Sequence, residues 1–208
     1  TDRVNPTTVS GLSNAKQLAL GEFHTCALLA DGTVRCWGRN ANGQIGNGNA
    51  NATDLLVPTA TTGSSVVDVV QIAVGARHTC ALRANGKVWC WGDNAQGQVK
   101  ASGNGNQATP FEVPGIDGAK SIAAGGEHSC AILGSGETWC WGRNNWGQLG
   151  NNNTSAQTTP QRVLSAAQTP LAPTIKVVAG GLHTCAVTAV DNRAYCWGDN
   201  SAGEIGRG

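Results

Sequence analysis

Four copies of one segment account for nearly the whole chain. The four histidines mark the period, because each lies in the same short text, Gly-x-x-His followed by Thr or Ser, Cys and Ala, with Cys-Trp-Gly further on. A repeat of about 50 residues is typical of propellers and solenoids, in which each unit buries its apolar face against the next unit. The repeated histidines are His24, His78, His128 and His183.

Each copy contains the pattern of several short strands. An apolar run precedes the histidine, a second run carries His-Thr/Ser-Cys-Ala, and a third carries Cys-Trp-Gly after a Gly turn. A proline-containing piece follows (Pro58, Pro110 and Pro160), which suits an outer strand because proline is tolerated at sheet edges. The 29 glycines suit tight turns between strands. We predict an all-β fold, a β-propeller of four blades.

All eight cysteines lie in the repeats, one pair per copy. In the first copy, Ala30-Asp31-Gly32 predicts a three-residue hairpin loop with Gly32 in the left-handed region. Such a loop places Cys26 opposite Cys36, where the Cβ atoms of an antiparallel pair come within disulfide range. We predict one disulfide within each blade, joining Cys26 to Cys36, Cys80 to Cys90, Cys130 to Cys140, and Cys185 to Cys196.

The alternative states of the cysteines are zinc ligation and free buried thiols. Zinc sites built from cysteine pairs use gaps of roughly two to four residues, whereas these pairs span a hairpin. A disulfide of this loop size contributes roughly 2–3 kcal/mol in the loop-entropy model. Because such bonds persist outside the reducing cytosol, we expect an extracellular or cell-surface protein.

The repeat text resembles the regulator-of-chromosome-condensation, or RCC1-like, family. The resemblance rests on Gly-x-x-His-Thr/Ser and on Trp-Gly-x-Asn-x-x-Gly-Gln-Leu/Ile-Gly, and it covers essentially the whole chain. It implies four-stranded propeller blades, usually seven, with an N-terminal segment that completes the last blade. The paired cysteines are not a general family feature, and they indicate a secreted, disulfide-containing member of the bacterial type.

We predict one domain over residues 1–208, with repeats centred near 15–50, 66–100, 118–152 and 173–208. The last copy lacks its proline strand, and Pro6-Thr7-Thr8-Val9 precedes the first copy as a spare one. We expect residues 1–12 to complete the last blade or to pair with a preceding one. The four blades then either close on themselves, form part of a larger propeller, or self-associate.

Residues that recur identically in each copy are interpreted as structural. We expect each repeated histidine to form hydrogen bonds within its own blade, since no Ser, Asp or Glu keeps a fixed position beside it in all four copies, as a catalytic triad requires. The tryptophans after the second cysteines are expected to pack between blades. Calcium at Asp93-Asn94 and Asp199-Asn200 was considered, but Arg39 and Arg143 occupy that place in the other copies. We expect no metal site and no cofactor.

Residues that vary inside the fixed frame are the candidate binding residues. The position before each histidine holds an aromatic, a cation, an anion and an aliphatic, and we expect it to ring one face near the central channel. The position before each second cysteine holds Arg or an aromatic, and one loop carries an additional tryptophan. Trp, Tyr and Arg commonly anchor interfaces, although drift on a solvated surface is the alternative. The candidates are Phe23, Arg77, Glu127, Leu182, Arg35, Trp89, Trp139, Tyr195 and Trp146.

We expect a binding scaffold that engages a protein partner through its variable face. The alternatives are a carbohydrate-binding propeller that stacks sugars on Trp89, Trp139 or Trp146, and a structural module of a larger surface or fibrous protein. The formal net charge of +1 gives no field that attracts nucleic acid, so no nucleic-acid partner is expected. An enzyme is not expected, because no nucleophile elbow, metal-ligand spacing or phosphate loop is present.

Overall fold

The computed structural model describes residues 3–51, 53–62, 66–103 and 105–206, and within them the chain forms four antiparallel sheets. The sheets follow the four sequence repeats in order, so each sheet is one blade. Blade 1 contains β1 (Ala15–Leu20), β2 (His24–Leu29), β3 (Val34–Gly38) and β4 (Leu55–Ala60), and blade 2 contains β5 (Val69–Val74), β6 (His78–Arg83), β7 (Val88–Gly92) and β8 (Gln107–Glu112). Blade 3 contains β9 (Ala119–Ala124), β10 (His128–Leu133), β11 (Thr138–Gly142) and β12 (Gln157–Arg162), and blade 4 contains β13 (Thr174–Ala179), β14 (His183–Thr188) and β15 (Ala194–Gly198).

The strands of each blade are joined in sequence order by antiparallel pairing. The proline pieces form the fourth, outer strands of blades 1 to 3, as the sequence predicts. Blade 4 has three strands among the described residues, and residues 3–12 lie outside any strand. That residues 1–12 complete a blade therefore stays a prediction, and residues 1 and 2 lie outside the described part of the chain.

The predicted hairpin register is confirmed in all four blades. Cys26 lies opposite Cys36, and their Cα atoms are 4.1 Å apart across the disulfide. Gly32 has a φ of 79°, the left-handed conformation that the loop after β2 requires. In blade 4, the longer loop places Asn192 in that conformation, with a φ of 54°. The other disulfides join Cys80 to Cys90, Cys130 to Cys140, and Cys185 to Cys196.

The core lies between blades rather than within them. Between blades 1 and 2, Leu28 and Val34 pack against Ile72 and Trp91 of the next blade. Equivalent layers fill the space between blades 2 and 3 and between blades 3 and 4. Because each sheet covers the face of its neighbour, the stability of a blade depends on the blades beside it.

Glutamine side chains also link the inner strands of adjacent blades. Gln17 of β1 donates its Nε2–H to the carbonyl of Ile72, at 2.8 Å, and accepts the Ile72 N–H at 2.9 Å. Gln71 of β5 makes the same pair of bonds with Ile122 of β9. These amides satisfy backbone groups on the inner strands of blades 2 and 3, and the bonds link these blades to the preceding ones.

Among the described residues, none forms a helix with the length and apolarity that crossing a bilayer requires.

Candidate functional site

The variable position before each histidine lies in a tight turn between the first two strands of its blade. The glycine of each Gly-x-x-His turn is required by packing. A Cβ built on Gly75 would lie 2.2 Å from Cε1 of His78 and 2.4 Å from the carbonyl oxygen of Gly125 in the next blade. The turn therefore packs against its own histidine and against the neighbouring turn, and Arg77 protrudes from it into solvent.

The four turns are joined around the channel by backbone hydrogen bonds. Glu22 N–H donates to the carbonyl of Ala76 at 3.1 Å, Ala76 N–H donates to Gly126 at 3.2 Å, and Gly126 N–H donates to Gly181 at 3.1 Å. This chain of bonds holds the residues before the histidines on one edge of the molecule. We call these four residues the variable rim: Phe23, Arg77, Glu127 and Leu182.

Each residue of the variable rim lies beside the residue that follows Trp-Gly in the same blade. The backbone N–H of Arg39 donates to the carbonyl of Phe23 at 2.8 Å, and the same bond recurs from Asp93 to Arg77, from Arg143 to Glu127 and from Asp199 to Leu182. In blade 1 the Arg39 guanidinium lies 5.5 Å from the centre of the Phe23 ring, a cation–π geometry. Phe23 is 54% exposed, so its outer face is open to a ligand.

Charged pairs continue the variable rim on blades 2 and 3. Arg77 Nε lies 3.2 Å from the carboxylate of Glu22, and Arg143 Nη1 lies 2.7 Å from the carboxylate of Glu127. All four side chains remain partly exposed, so these pairs contribute little to the free energy of unfolding. The rim thus presents a different chemistry on each blade.

The repeated histidines hold adjacent blades together. His24 Nε2 lies 3.0 Å from Thr79 Oγ1 of the next blade, His78 Nε2 lies 2.9 Å from Ser129 Oγ, and His128 Nε2 lies 2.8 Å from Thr184 Oγ1. The expectation that each histidine bonds within its own blade is therefore wrong. The sequence repeats at a fixed period, so it gave no indication of which blade supplies the partner.

The hydroxyl group determines which ring nitrogen of each buried histidine carries the proton. Thr79 donates its hydroxyl proton to the carbonyl of Gln44, at 3.0 Å, so its oxygen accepts from His24 and Nε2 carries the proton. Nδ1 of His24 is buried and has no hydrogen-bond partner among the described residues. Burial lowers the pKa of His24 to about 4. Burial, with the neighbouring histidines, lowers the pKa of His78 to about 3 and that of His128 to about 4.

The residues before the second cysteines lie apart from the variable rim, along the third strands. Trp139 packs against the layer between blades 2 and 3, and its indole N–H donates to Glu137 at 3.3 Å. Trp89 is half-buried, and its indole nitrogen has no partner among the described residues. Arg35 lines a small cavity with Asn14 and Asp31. The structure therefore does not bring Arg35, Trp89, Trp139 and Tyr195 to the rim.

Trp146 and Tyr195 lie together at a groove of about 540 Å³ between blades 3 and 4. Trp197, Gly147 and Leu164 are also among the residues that line this groove, and β15 forms one of its walls. Trp146 is 52% exposed. We call this space the blade-4 groove.

The Asp and Asn pairs considered for calcium act as turn residues. Asp93 accepts the N–H of Ala95 at 3.1 Å, and Asn94 Oδ1 accepts the N–H of Val99 at 2.9 Å. Asp199 accepts the N–H of Ser201 in the same way as Asp93. Within the described ranges, no group of three His, Cys, Asp or Glu side chains is placed to hold a metal ion.

The blades, their disulfide frame and the repeated junctions can be compared with known proteins. The family model of the RCC1-like domain matches residues 1–208. The chain belongs to the RCC1-like family. The ultraviolet-B receptor UVR8 of Arabidopsis thaliana is 29% identical over 195 residues, which cover 93% of this RCC1-like chain and 43% of UVR8.

Solved structures show the same propeller. Yeast RCC1 (Prp20) bound to Kap60 superposes with a TM-score of 0.81 at 26% identity, over 96% of this chain and 47% of Prp20. A second structure of Prp20 from Saccharomyces cerevisiae, described with its binding to Gsp1p and histones, gives a TM-score of 0.74 at 25% identity, over 82% of this chain and 43% of Prp20. The ectodomain of the receptor kinase CR4 of Physcomitrella patens gives 0.57 at 26% identity, over 88% and 40%. The chain spans less than half the length of these relatives.

The sequence reasoning missed the partners of the rim in this RCC1-like propeller. In the sequence, Arg39 and Arg143 indicate only that a repeated calcium site is absent, whereas in the structure they contact Phe23 and Glu127 directly. The hairpin register contains the signal, because His24 pairs with Gly38 and the residues flanking that pair must be neighbours. Glu22 was missed because its partner lies on the next blade.

Proposed function

We propose that this RCC1-like propeller is an extracellular binding scaffold that engages a protein partner through the variable rim. The observation that carries the proposal is one backbone position, fixed in space on every blade, that holds four chemically different side chains. A position needed for packing would keep one residue type, as the histidines do. A binding surface requires the opposite, because its residues match the partner and not each other.

Three of the four rim side chains contact a charged side chain on the same edge of the molecule. Phe23, stacked on Arg39 and half exposed, combines a flat apolar surface with a positive charge, and both types are common at the centres of protein interfaces. Arg77 and Glu127 provide opposite charges on adjacent blades. A protein surface can match these different side chains with complementary charges, whereas a polymer of identical units would meet a different chemistry on each blade.

The relatives support protein binding and an extracellular location. Prp20 binds Kap60, and its binding to Gsp1p and histones has been described. The CR4 match is to a receptor ectodomain, and four disulfides are compatible with the same environment. We expect no catalytic activity and no nucleic-acid partner. Self-association also belongs to this proposal.

The test is a binding measurement on matched variants. The wild-type chain, immobilised without reductant, captures partners from the extracellular fraction of its source organism, and the captured protein is identified and purified. Its affinity is then measured for wild type and for the double variant Phe23→Ala/Arg77→Ala. We expect a loss of at least about tenfold, which corresponds to about 1.4 kcal/mol, at an unchanged melting temperature.

The matched control is Leu56→Ala/Val70→Ala, which truncates two exposed apolar side chains away from the rim. Wild-type affinity is expected for this control. Equal affinity of the rim variant and the wild type would exclude the rim as the binding surface, and a lower melting temperature of the rim variant would reassign it to packing.

Carbohydrate binding is the alternative function. The sequence suggested stacking platforms at Trp89, Trp139 and Trp146, but the first two are half-buried and only Trp146 of the three is largely exposed. A repeated sugar site on every blade is therefore not favoured. A glycan array that shows strong binding, abolished by Trp146→Ala and not by Phe23→Ala, would favour carbohydrate over protein. The third alternative, a structural module of a larger surface protein, predicts that neither assay finds a ligand.

A further inference from the structure

Two grooves lie on the edge of the propeller opposite the variable rim. The rim is at the start of the second strand of each blade, and the hairpin loops that border the grooves are at the end of that strand. One groove, of about 370 Å³, lies between blades 2 and 3, and the other, of about 380 Å³, lies between blades 3 and 4. Each is bounded on both sides by blades of this chain. We call these two spaces the hairpin grooves.

The walls of the hairpin grooves are joined by backbone hydrogen bonds between blades. The N–H of Ala119 donates to the carbonyl of Gly86 at 2.9 Å, and the N–H of Thr174 donates to the carbonyl of Gly136 at 2.8 Å. A Cβ built on Gly86 would lie 2.7 Å from the Cα of Gly118, so the loop of blade 2 closely contacts blade 3. A ligand therefore meets walls that are already formed, which lowers the entropy cost of binding.

Three side chains at equivalent positions line the hairpin grooves. They belong to the second residue of the inner strands β5, β9 and β13, which is Val70, Lys120 and Ile175. Val70 lines the first groove, Ile175 lines the second, and Lys120 lines both. Val70 is 55% exposed although its blade has a neighbour on each side, and Ile175 is 59% exposed. The grooves thus present an apolar side chain, a cation and an apolar side chain on successive blades.

The charge in the hairpin grooves is positive and has no acidic partner. Among the described residues that line them, the ionisable side chains are Lys120 and Arg83, and none is Asp or Glu. Within the described part of the chain neither cation forms an ion pair, although five other cations do. A Cβ built on Gly134 would lie 3.3 Å from Cε of Lys120, so the lysine stem lies over the hairpin backbone. An anionic group of a ligand would complement this lysine.

The spacing of the inner strands matches that of an extended peptide. The Cα atoms of β5 and β9 come within 8 Å of each other, and so do those of β9 and β13. In an extended chain, side chains on the same side recur about every 6.6 Å. A segment with an acidic residue at its centre and an apolar residue two positions away on either side can therefore reach all three blades.

We propose that the hairpin grooves bind an extended acidic segment of a protein partner. The central carboxylate pairs with Lys120, and the flanking apolar side chains pack on Val70 and Ile175. A nucleic acid or a sulfated polysaccharide carries charge along its whole length and would place charges against the two apolar side chains. The net charge of +1 also provides no field that attracts such a polymer.

Fluorescence anisotropy with a labelled peptide tests the proposal on the full, disulfide-bonded chain. The probe is Leu-Ser-Glu-Ser-Leu with blocked ends, and we expect a Kd of about 100 µM or tighter. Replacing the central Glu of the peptide by Gln is expected to weaken binding about threefold or more. Lys120→Glu is expected to weaken it at least about tenfold, because the new charge repels the peptide. Lys120 is exposed, so the melting temperature of this variant is expected to equal that of the wild type.

Lys16→Glu is the matched control, because it makes the same charge change at the equivalent, exposed position of blade 1 and lines neither groove. We expect wild-type affinity for this control. A peptide with Lys in place of the central Glu is expected to bind Lys120→Glu more tightly than it binds the wild type. The rim variant Phe23→Ala/Arg77→Ala is expected to bind the Glu peptide normally, so the two surfaces are tested separately.

Three results would overturn the proposal. The first is no binding of the Glu peptide at up to about 1 mM protein. The second is an equal loss for Lys16→Glu and Lys120→Glu, which would assign the attraction to overall charge. The third is binding of heparin, a sulfated polysaccharide, that is tighter than peptide binding and is lost in Lys120→Glu, which would assign the grooves to a polyanion.

Discussion

At the residue scale, the hydroxyl after each histidine is the centre of the junction. Thr79 accepts from His24 and donates to Gln44, and the indole of Trp91 donates to the same carbonyl at 2.9 Å. One short side chain thus satisfies two buried polar groups from the preceding blade. This explains why the repeat keeps Thr or Ser at this position, since either residue supplies the hydroxyl and remains small enough to be buried.

The buried histidines make folding stability depend on pH. Their pKa values are lowered in the folded state, to about 4 for His24, about 3 for His78 and about 4 for His128, from 6.5. The unfolded chain therefore binds protons that the folded chain does not. This contribution to stability is present above pH 6.5 and is lost as pH falls from 6.5 to about 4 for His24 and His128 and to about 3 for His78, with a loss on the order of a few kcal/mol for each histidine.

Thermal unfolding between pH 7.5 and 4 measures this loss. His78→Gln is the matched variant, because the glutamine amide supplies a donor near the position of Nε2 and does not titrate. We expect its melting temperature to fall less steeply with pH than that of the wild type. Parallel pH profiles for the two proteins would show that His78 does not carry the effect.

The sequence predicted the disulfides at this scale but not the histidine partners. Cys26 and Cys36 lie within one hairpin, so the loop residues alone determine their register. His24 and Thr79 lie on different blades, and their contact depends on how the sheets stack. Periodicity identifies equivalent residues, but it does not distinguish contacts within a unit from contacts between units.

At the element scale, two glycines distinguish the effect of strand packing on stability from the effect of backbone strain. The packing in question is that of an outer strand against the preceding blade. Gly97 and Gly147 have φ values of 79° and 77°, so alanine at either position adopts the same strained conformation. Only Gly97 meets the next outer strand, at Thr158. Gly97→Ala is expected to destabilise the protein by at least about 1 kcal/mol more than Gly147→Ala, as measured by chemical denaturation.

Equal losses for the two glycine variants would mean that the outer strand of blade 3 does not depend on close contact with blade 2. A larger loss for Gly147→Ala would mean that the blade-4 groove is filled in solution. The two variants therefore also show whether the blade-4 groove is empty or filled in solution, and no binding partner is needed for this measurement.

The strands were largely predictable from the sequence, whereas the burial of their side chains by neighbouring blades was not. The proline pieces around Pro58, Pro110 and Pro160 form outer strands as expected, because proline position and edge location are coupled. Trp89 and Trp139 were expected at a binding surface, but both are half-buried, and Trp139 packs against the layer between blades 2 and 3. Alternation along a strand shows that two side chains share a face, but it does not show whether another blade covers that face.

At the scale of the whole molecule, the chain separates a constant frame from a variable rim. The frame consists of disulfides, interblade apolar layers and the repeated histidine junctions, all of which recur from blade to blade. The rim lies on one edge of this frame and differs on every blade. Repeat proteins commonly combine stability from identical units with recognition by residues that vary between them.

The most direct test of this separation is the melting temperature of two variants measured side by side. One variant replaces the whole variable rim: Phe23→Ala/Arg77→Ala/Glu127→Ala/Leu182→Ala. The other, Thr79→Val, replaces the hydroxyl group at one junction between blades with a methyl group. Thr79→Val leaves the buried Nε2–H of His24 unpaired, which costs about 1–3 kcal/mol. We predict a fall of about 4 °C or more for Thr79→Val and of less than about 2 °C for the rim variant. A rim variant that melts as low as Thr79→Val would contradict the account, because the rim would then be part of the frame.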